Sequence, residues 1–147
     1  MVQIDEMNRK ILKLLMTDGK MTYNEVAQRM RRSPSTIRDR IRRLEDDKVI
    51  LGYIALVSAE RMGMKVEGIL LANLVDGSSA ERLRTLANVP GVLEVLQISG
   101  RRRIMVRINA KDNRSLEETI NQDILPLGLK DVELRIVLES VMRFPGA

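Results

Sequence analysis

One stretch decides the fold of the first third of the chain: Ser33-Pro34-Ser35-Thr36-Ile37-Arg38-Asp39-Arg40-Ile41-Arg42-Arg43-Leu44-Glu45-Asp46-Asp47. It begins as helices do, because Ser33 can accept hydrogen bonds from free backbone N–H groups and Pro34 has no N–H to leave unpaired. Ile37, Ile41 and Leu44 recur at i, i+4 and i+7, which predicts one narrow buried stripe. We therefore predict an amphipathic helix over residues 33–47.

The opposite face of this predicted helix carries hydroxyl and guanidinium groups. At about 100° per residue, six side chains lie opposite the stripe or beside that face: Ser35, Thr36, Arg38, Asp39, Arg42 and Arg43. Such groups suit a DNA groove, because arginine binds a guanine edge in bidentate fashion and short hydroxyls reach bases or phosphates. The alternative is a solvated basic helix with internal ion pairs, such as Arg38 with Glu45 or Arg42 with Asp46.

Two shorter helices are predicted before this one. Asp5 is suited to cap the first helix, and Gly19 ends it. The second helix begins at a capping box, in which Thr22 accepts from the N–H of Glu25 and the Glu25 carboxylate reaches back. A tight connection, Arg31-Arg32, then leads into the third helix. Three short helices joined in this way are typical of a helix-turn-helix whose third helix reads DNA.

The charge of the 147-residue chain is unevenly distributed. Residues 1–48 hold 12 basic and 8 acidic side chains, whereas residues 49–147 hold 13 and 12. This basic first third indicates a polyanionic partner for that segment. The chain has only three aromatic residues, which leaves little for the stacking of single-stranded bases, so we expect double-stranded DNA.

Several function classes are disfavoured by composition. The chain has no Cys and no His, so thiol nucleophiles, disulfides and thiolate or imidazole metal sites are excluded. We predict no catalytic residues, no metal and no cofactor. The first six residues do not resemble a signal peptide, and the longest apolar run, around residues 69–72, is too short to cross a bilayer. We expect a cytoplasmic protein with no membrane partner.

The rest of the chain predicts a second domain. Residues 49–56 are predicted as a strand bent at Gly52, either a wing or a connecting strand, and residues 57–65 as a linker. Strands are then predicted over 66–75, 92–99, 104–108 and 132–139. Asp76-Gly77 is a turn signal, and helices are predicted from Ser79 and from a Ser-x-x-Glu box at Ser115.

The order β-α-β-β-α-β is that of a ferredoxin-like antiparallel sheet with two helices on one face. The predicted fold class is therefore α+β, a winged-type helix-turn-helix followed by a ferredoxin-like βαββαβ domain. Short segments before the second and fourth strands, residues 88–92 and 125–129, form a weak internal repeat. We expect Leu70, Ala72 and Leu74, or their neighbours, on the uncovered sheet face. An exposed apolar face favours a homodimer, which would also supply two recognition helices.

Several groups of residues together carry a family resemblance: Ile4-Asp5, Asn8-Arg9-Lys10-Ile11-Leu12, Ser33-Pro34-Ser35, Arg38-Asp39-Arg40-Ile41-Arg42-Arg43-Leu44-Glu45, Val49-Ile50-Leu51-Gly52-Tyr53 and Gly63. With these residues the chain resembles the leucine-responsive regulator/asparagine regulator (Lrp/AsnC) family of transcription factors over nearly its whole length. The resemblance implies a DNA-binding domain (1–48), a hinge strand and linker (49–65) and an effector-binding and oligomerisation domain (66–147). It also implies a homodimer or larger assembly, a tetramer or octamer, that binds a small effector, typically an amino acid, between subunits.

The chain departs from that family in the loop between the second and third strands of the ferredoxin-like domain. The family usually has Gly-x-x-Asp there, whereas this chain has Gly100-Arg101-Arg102-Arg103. A positive charge at Arg103 disfavours an α-amino group in the usual orientation. Three interpretations are open: Arg103 pairs with Glu94 or another strand carboxylate, the triplet holds an anion, or the effector is absent or is held by apolar contacts. The predicted effector contacts are Ser99, Gly100, Arg101 and Arg103.

The function predicted from these features is sequence-specific DNA binding by a transcriptional regulator. The predicted base contacts are Arg38 and Arg42 with Ser35, Thr36 and Asp39. The predicted phosphate contacts are Arg31, Arg32, Ser33, Arg43 and the helix start at Thr22. The alternative is a metabolite-sensing regulatory subunit whose N-terminal helices bind a protein.

Overall fold

A computed structural model describes residues 3–75 and 80–140, apart from the side chain of Ala80. The chain forms two compact units, residues 1–56 and 57–147. The turn predicted at Asp76-Gly77 and the helix start predicted at Ser79 lie outside the described residues.

The first unit contains the three predicted helices: α1 (Glu6–Thr17), α2 (Tyr23–Met30) and α3 (Pro34–Asp46). Each begins at its predicted cap. The Asp5 carboxylate accepts from the Asn8 N–H at 2.8 Å, the Ser33 hydroxyl accepts from the Thr36 N–H at 3.3 Å, and the Thr22 box is complete. The predicted stripe of α3 is buried in a core whose members come from all three helices: Ile11, Leu15, Val26, Ala27, Ile37, Ile41 and Leu44. Burial of each of the larger side chains in this core contributes about 1.5–3 kcal/mol.

The prediction of a strand over residues 49–56 is wrong for the single chain. These residues form no strand, because no described strand of the same chain lies beside them to bond their N–H and C=O groups. Several of their apolar side chains face solvent, with Leu51 88% and Ile54 73% exposed. Tyr53 instead turns back onto α3, where its hydroxyl donates to the Glu45 carboxylate at 2.8 Å.

The second unit is the predicted ferredoxin-like domain. Its strands are β1 (Val66–Leu74), β2 (Val92–Gln97), β3 (Ile104–Ala110) and β4 (Leu129–Ile136), in the order β2-β3-β1-β4 with all neighbours antiparallel. Helix α4 (Ala80–Leu86) and helix α5 (Asn113–Thr119) pack on one face. Helix α5 continues through a π-helical turn (Ile120–Ile124) and a 3₁₀ turn (Leu125–Leu127).

Two boundaries differ from the prediction for a local reason. The cap of α5 is Asp112, whose carboxylate accepts from the Ser115 N–H at 2.7 Å, so Ser115 lies inside the helix. Strand β4 begins at Leu129, three residues early, because Gly128 reverses the chain in a left-handed conformation with φ +94°. Gly91 does the same before β2 with φ +86°, so the predicted internal repeat marks two equivalent turns.

The prediction that Leu70, Ala72 and Leu74 lie on the open face of the sheet is wrong. Leu70 and Ala72 are fully buried under the helices, and Leu74 packs against the same core. Their neighbours lie on the open face, which carries four half-buried or exposed apolar side chains, Ile69, Leu71, Leu96 and Met105. The Arg107 guanidinium lies among them and pairs with Glu67 at 3.0 Å and Glu94 at 3.4 Å. The reason is the period of two in a strand, which predicts two faces without telling which one the helices cover.

Candidate DNA-binding surface and effector loop

The solvent face of α3 is as the sequence predicts. All six predicted side chains of this face are exposed: Ser35, Thr36, Arg38, Asp39, Arg42 and Arg43. At the start of the helix, three hydroxyl groups lie together, since the Ser33 oxygen is 2.7 Å from that of Thr36 and 3.2 Å from that of Ser35. The structure therefore places a hydroxyl cluster at the N-terminus of α3 and arginines along it.

No carboxylate of the described residues holds the arginines of this surface. Neither Arg38–Glu45 nor Arg42–Asp46, the ion pairs of the alternative interpretation, is formed, and Glu45 instead accepts from Tyr53. Five guanidinium groups of this surface form no ion pair within the described residues: Arg31, Arg32, Arg38, Arg42 and Arg43. An uncompensated basic face with exposed hydroxyls suits a phosphodiester backbone and base edges.

One arginine of α3 has a different role, which sequence reasoning missed. The Arg40 guanidinium donates to the Asp5 carboxylate at 2.6 Å and to the side-chain oxygen of Asn8 at 3.1 Å. Asn8 is only 2% exposed, and its amide nitrogen donates to the carbonyl of Gln3 at 2.7 Å. This network ties α3 to the start of α1. The only sequence signal was the position of Arg40 beside the apolar stripe rather than opposite it.

Hydrogen bonds also lower the pKa values of carboxylates at the helix starts, among them Asp5 and Glu25. The pKa of Asp5 lies below its usual range, mainly because the carboxylate accepts the Asn8 N–H and then because Arg40 bonds to it. The pKa of Glu25 is lowered chiefly by the backbone N–H of Thr22. Both carboxylates are charged at neutral pH, which favours the start of each helix.

The loop between β2 and β3 is held by the side chain of Asn73 on β1. The Asn73 amide nitrogen donates to the carbonyl of Arg101 at 3.1 Å, and its oxygen accepts from the Arg103 N–H at 3.1 Å. Gly100 has φ +111°, a conformation that L side chains rarely adopt. The loop geometry is thus set by the backbone and Asn73, and the side chains of the arginine triplet do not contribute equally to it.

Arg102 is used to hold the loop. Its Nε donates to the carbonyl of Asp131 at 2.8 Å, and its guanidinium pairs with the Glu133 carboxylate. The pKa of Glu133 is lowered, first by its hydrogen bond to Arg135 and then by the charge of Arg102. Arg102 therefore has its charge compensated inside the domain.

Arg101 and Arg103 are exposed, and neither forms an ion pair within the described residues. The interpretation in which Arg103 pairs with Glu94 is not supported within the described residues, where Glu94 pairs with Arg107 on the neighbouring strand. Ser99 is also exposed beside Gly100. The four predicted effector contacts thus lie on one loop, where two guanidinium groups face solvent.

Residues 3–75 and 80–140 contain no group of three or more Asp or Glu side chains arranged to hold a metal ion. No helix in that part of the chain is both long and apolar enough to cross a membrane.

Comparison with known proteins covers both units. A family model described as winged helix-turn-helix DNA-binding matches residues 4–50, and one described as Lrp/AsnC ligand binding domain matches residues 72–146. The HTH-type transcriptional regulator FL11 of Pyrococcus horikoshii is 29% identical over 139 residues, which cover 95% of this chain and 92% of that relative.

Solved structures share the fold of the whole chain. The feast or famine regulatory protein of M. tuberculosis, complexed with L-methionine, has a TM-score of 0.91 at 22% identity and covers 99% of both chains. The structure of E. coli AsnC has a TM-score of 0.82 at 24% identity and covers 97% of both chains. At this identity the likeness shows the fold alone, while the two family models and the curated relative show the function class. The chain belongs to the Lrp/AsnC family of DNA-binding helix-turn-helix transcriptional regulators.

Proposed function

We propose that the exposed face of α3 reads base edges in the major groove of a specific DNA site. The observation that carries the proposal is the row of guanidinium groups that have no carboxylate partner among the described residues, beside three clustered hydroxyls. Arg38 and Arg42 make the base contacts with Ser35, Thr36 and Asp39. Phosphates are bound by Arg31, Arg32, Ser33, Arg43 and the N-terminus of α2 at Thr22.

The regulator acts as a homodimer. Two surfaces support this proposal: the open sheet face around Leu71 and Met105, and the exposed apolar segment that contains Leu51 and Ile54. Soluble monomers rarely expose contiguous apolar surface of this kind. A two-fold dimer would bury both surfaces and present two copies of α3 to successive major grooves of a pseudo-palindromic site. Residues 49–65 would form the hinge between residues 1–48 and 66–147.

The effector of this chain carries a carboxylate or another anionic group. Arg101 and Arg103 support this proposal, since both guanidiniums are exposed on the β2–β3 loop while Arg102 is compensated by Glu133. Guanidinium groups bind carboxylates with two parallel hydrogen bonds. The effector contacts are Ser99, Gly100, Arg101 and Arg103, and binding there changes DNA affinity by changing the arrangement of the dimer. Regulation rather than catalysis, in the cytoplasm, is the role proposed for the whole chain.

The DNA-binding proposal is tested by selection from a library of random-sequence duplexes, followed by titration of the enriched site by fluorescence anisotropy. We expect an enriched site with two related half-sites, and a dimer mass in light scattering of the purified protein. The proposal would be contradicted if the selection enriched no sequence, or if it enriched a single half-site and the protein were a monomer in light scattering. The effector proposal is tested separately by thermal shift. Acidic amino acids are expected to raise the melting temperature, and the rise should be lost in Arg103→Gln.

A further inference from the structure

A surface groove of about 670 Å³ lies within the first unit, along α1 and against the end of α2 and the middle of α3. Its lining extends from the cap residue Asp5 to Thr17, which is the whole length of α1. Apart from Arg32, none of its lining residues is a DNA-contact candidate. The groove is therefore a second surface of the same domain, distinct from the reading face of α3.

The floor of the groove is apolar. Met7, Leu14 and Met30 line it, and all three are half-buried against the core of the domain. Methionine side chains are flexible and polarizable, so a surface that contains them adapts to different apolar partners. This floor would gain from being covered by apolar groups of an occupant.

The rim of the groove carries an excess of positive charge. Two of its cations are compensated within the domain, since Lys10 pairs with Glu6 at 2.8 Å and Arg40 with Asp5 at 2.6 Å. Three further rim cations are exposed and form no ion pair within the described residues: Lys13, Arg29 and Arg32. An occupant that carries carboxylates would complement this rim.

We infer that the groove binds an acidic amphipathic helix of another protein. A 12-residue helix such as α1 is about 18 Å long, so the groove beside it accommodates roughly three turns of a partner helix. In this mode, apolar side chains at i, i+3 or i+4 and i+7 cover Met7, Leu14 and Met30. Flanking Glu or Asp residues pair with Lys13 and Arg29, which are not DNA-contact candidates. A DNA backbone fits less well, because phosphates offer no apolar surface for the floor.

The inference is tested with a fluorescein-labelled helical peptide of about 14 residues, with Leu at i, i+4 and i+7 and Glu on both flanks. Its matched control has Gln in place of every Glu. Anisotropy is measured on the full-length protein without DNA. We expect the Gln peptide to bind the wild type about tenfold more weakly than the Glu peptide does. The Glu peptide should lose the same factor in affinity when it binds the double variant Lys13→Glu/Arg29→Glu. Arg9→Glu, an exposed change on α1 outside the groove, should leave the Glu peptide's affinity unchanged.

Melting curves should be recorded for each variant first, so that binding is measured only on folded protein. No binding of the Glu peptide, or equal binding of the two peptides, would overturn the inference. It would also be overturned if a saturating duplex prevented peptide binding, since the groove would then be part of the DNA surface. Binding of the Glu peptide to the preformed DNA complex supports it. These outcomes are independent of which DNA site α3 reads.

Discussion

Truncation of two arginines on the same helix is expected to have opposite effects, one on DNA affinity and the other on stability. Arg42 is exposed and forms no ion pair in the described part of the chain, whereas Arg40 bonds to Asp5 and to the nearly buried Asn8. Arg42→Ala should therefore change the free energy of unfolding by no more than about 0.5 kcal/mol. Its effect should appear in DNA binding, at about 1–3 kcal/mol for each half-site, or roughly 5- to 150-fold in affinity.

Arg40→Ala should show the reverse pattern. It leaves the side-chain oxygen of Asn8 without its donor at a site that is 2% exposed, which costs about 1–3 kcal/mol of stability. In a domain of this size, each kcal/mol lowers the melting temperature by about 4–8 °C. At temperatures where the variant is folded, its DNA affinity should equal that of the wild type.

The two variants are compared by thermal unfolding followed by circular dichroism and by anisotropy on the selected DNA site. Each serves as the other's control, because the same side chain is removed from the same helix. The assignment of the reading face would be refuted if Arg42→Ala bound the selected site as the wild type does. It would also be refuted if Arg40→Ala, while folded, bound the site more weakly than Arg42→Ala.

Single residues of both units provide three further predictions. Arg31→Ala should weaken binding to all duplexes and reduce the slope of log affinity against log salt by about 0.9 for each phosphate that is no longer neutralised; a change in sequence preference instead would contradict a phosphate role. Gly91→Ala should destabilise the protein more than Gly63→Ala in urea unfolding. Both glycines have positive φ, but only at Gly91 would an added Cβ lie 2.5 Å from a backbone oxygen, that of Asn109. Equal destabilisation would show that this close approach relaxes. Burial, and then a hydrogen bond to an α3 carboxylate, raise the pKa of Tyr53 from 10.0 to about 12, so stability should fall as pH rises through that window. The loss of stability between pH 10 and 12 should be smaller in Tyr53→Phe. If the melting temperatures of the wild type and of Tyr53→Phe fell equally over this range, the prediction would be contradicted.

Local signals explain why the helical unit was predictable. The Ser33 cap, the Thr22 box and the stripe of α3 all involve residues no more than a few positions apart, so their spacing is visible in the sequence. The same holds for the exposed face of α3, which follows from the position of the stripe. The helix that starts at Asp112 was misplaced by three residues because Asp112 and Ser115 are both good caps, and only the structure shows which one bonds.

The effector loop was less predictable because its partners are distant in sequence. Asn73 bonds to the loop 28 residues away, and Arg102 pairs with Glu133, 31 residues away. A run of three arginines contains nothing that tells which one is compensated. The partner of Glu94 was undecided for the same reason. Arg107 lies on β3 and Arg103 immediately before it, and the sequence does not show which of the two pairs with Glu94.

By itself, the sequence determined the order of the elements apart from the strand predicted over residues 49–56, the caps of the three N-terminal helices, the polar face of α3 and the family to which the chain belongs. The tertiary structure alone decided which sheet face the helices cover, which arginines have partners and where the apolar groove beside α1 lies. The physical reason is the range of the interactions. Helix caps and amphipathic stripes depend on neighbours within about two turns, whereas strand faces and ion pairs depend on residues that only folding brings together.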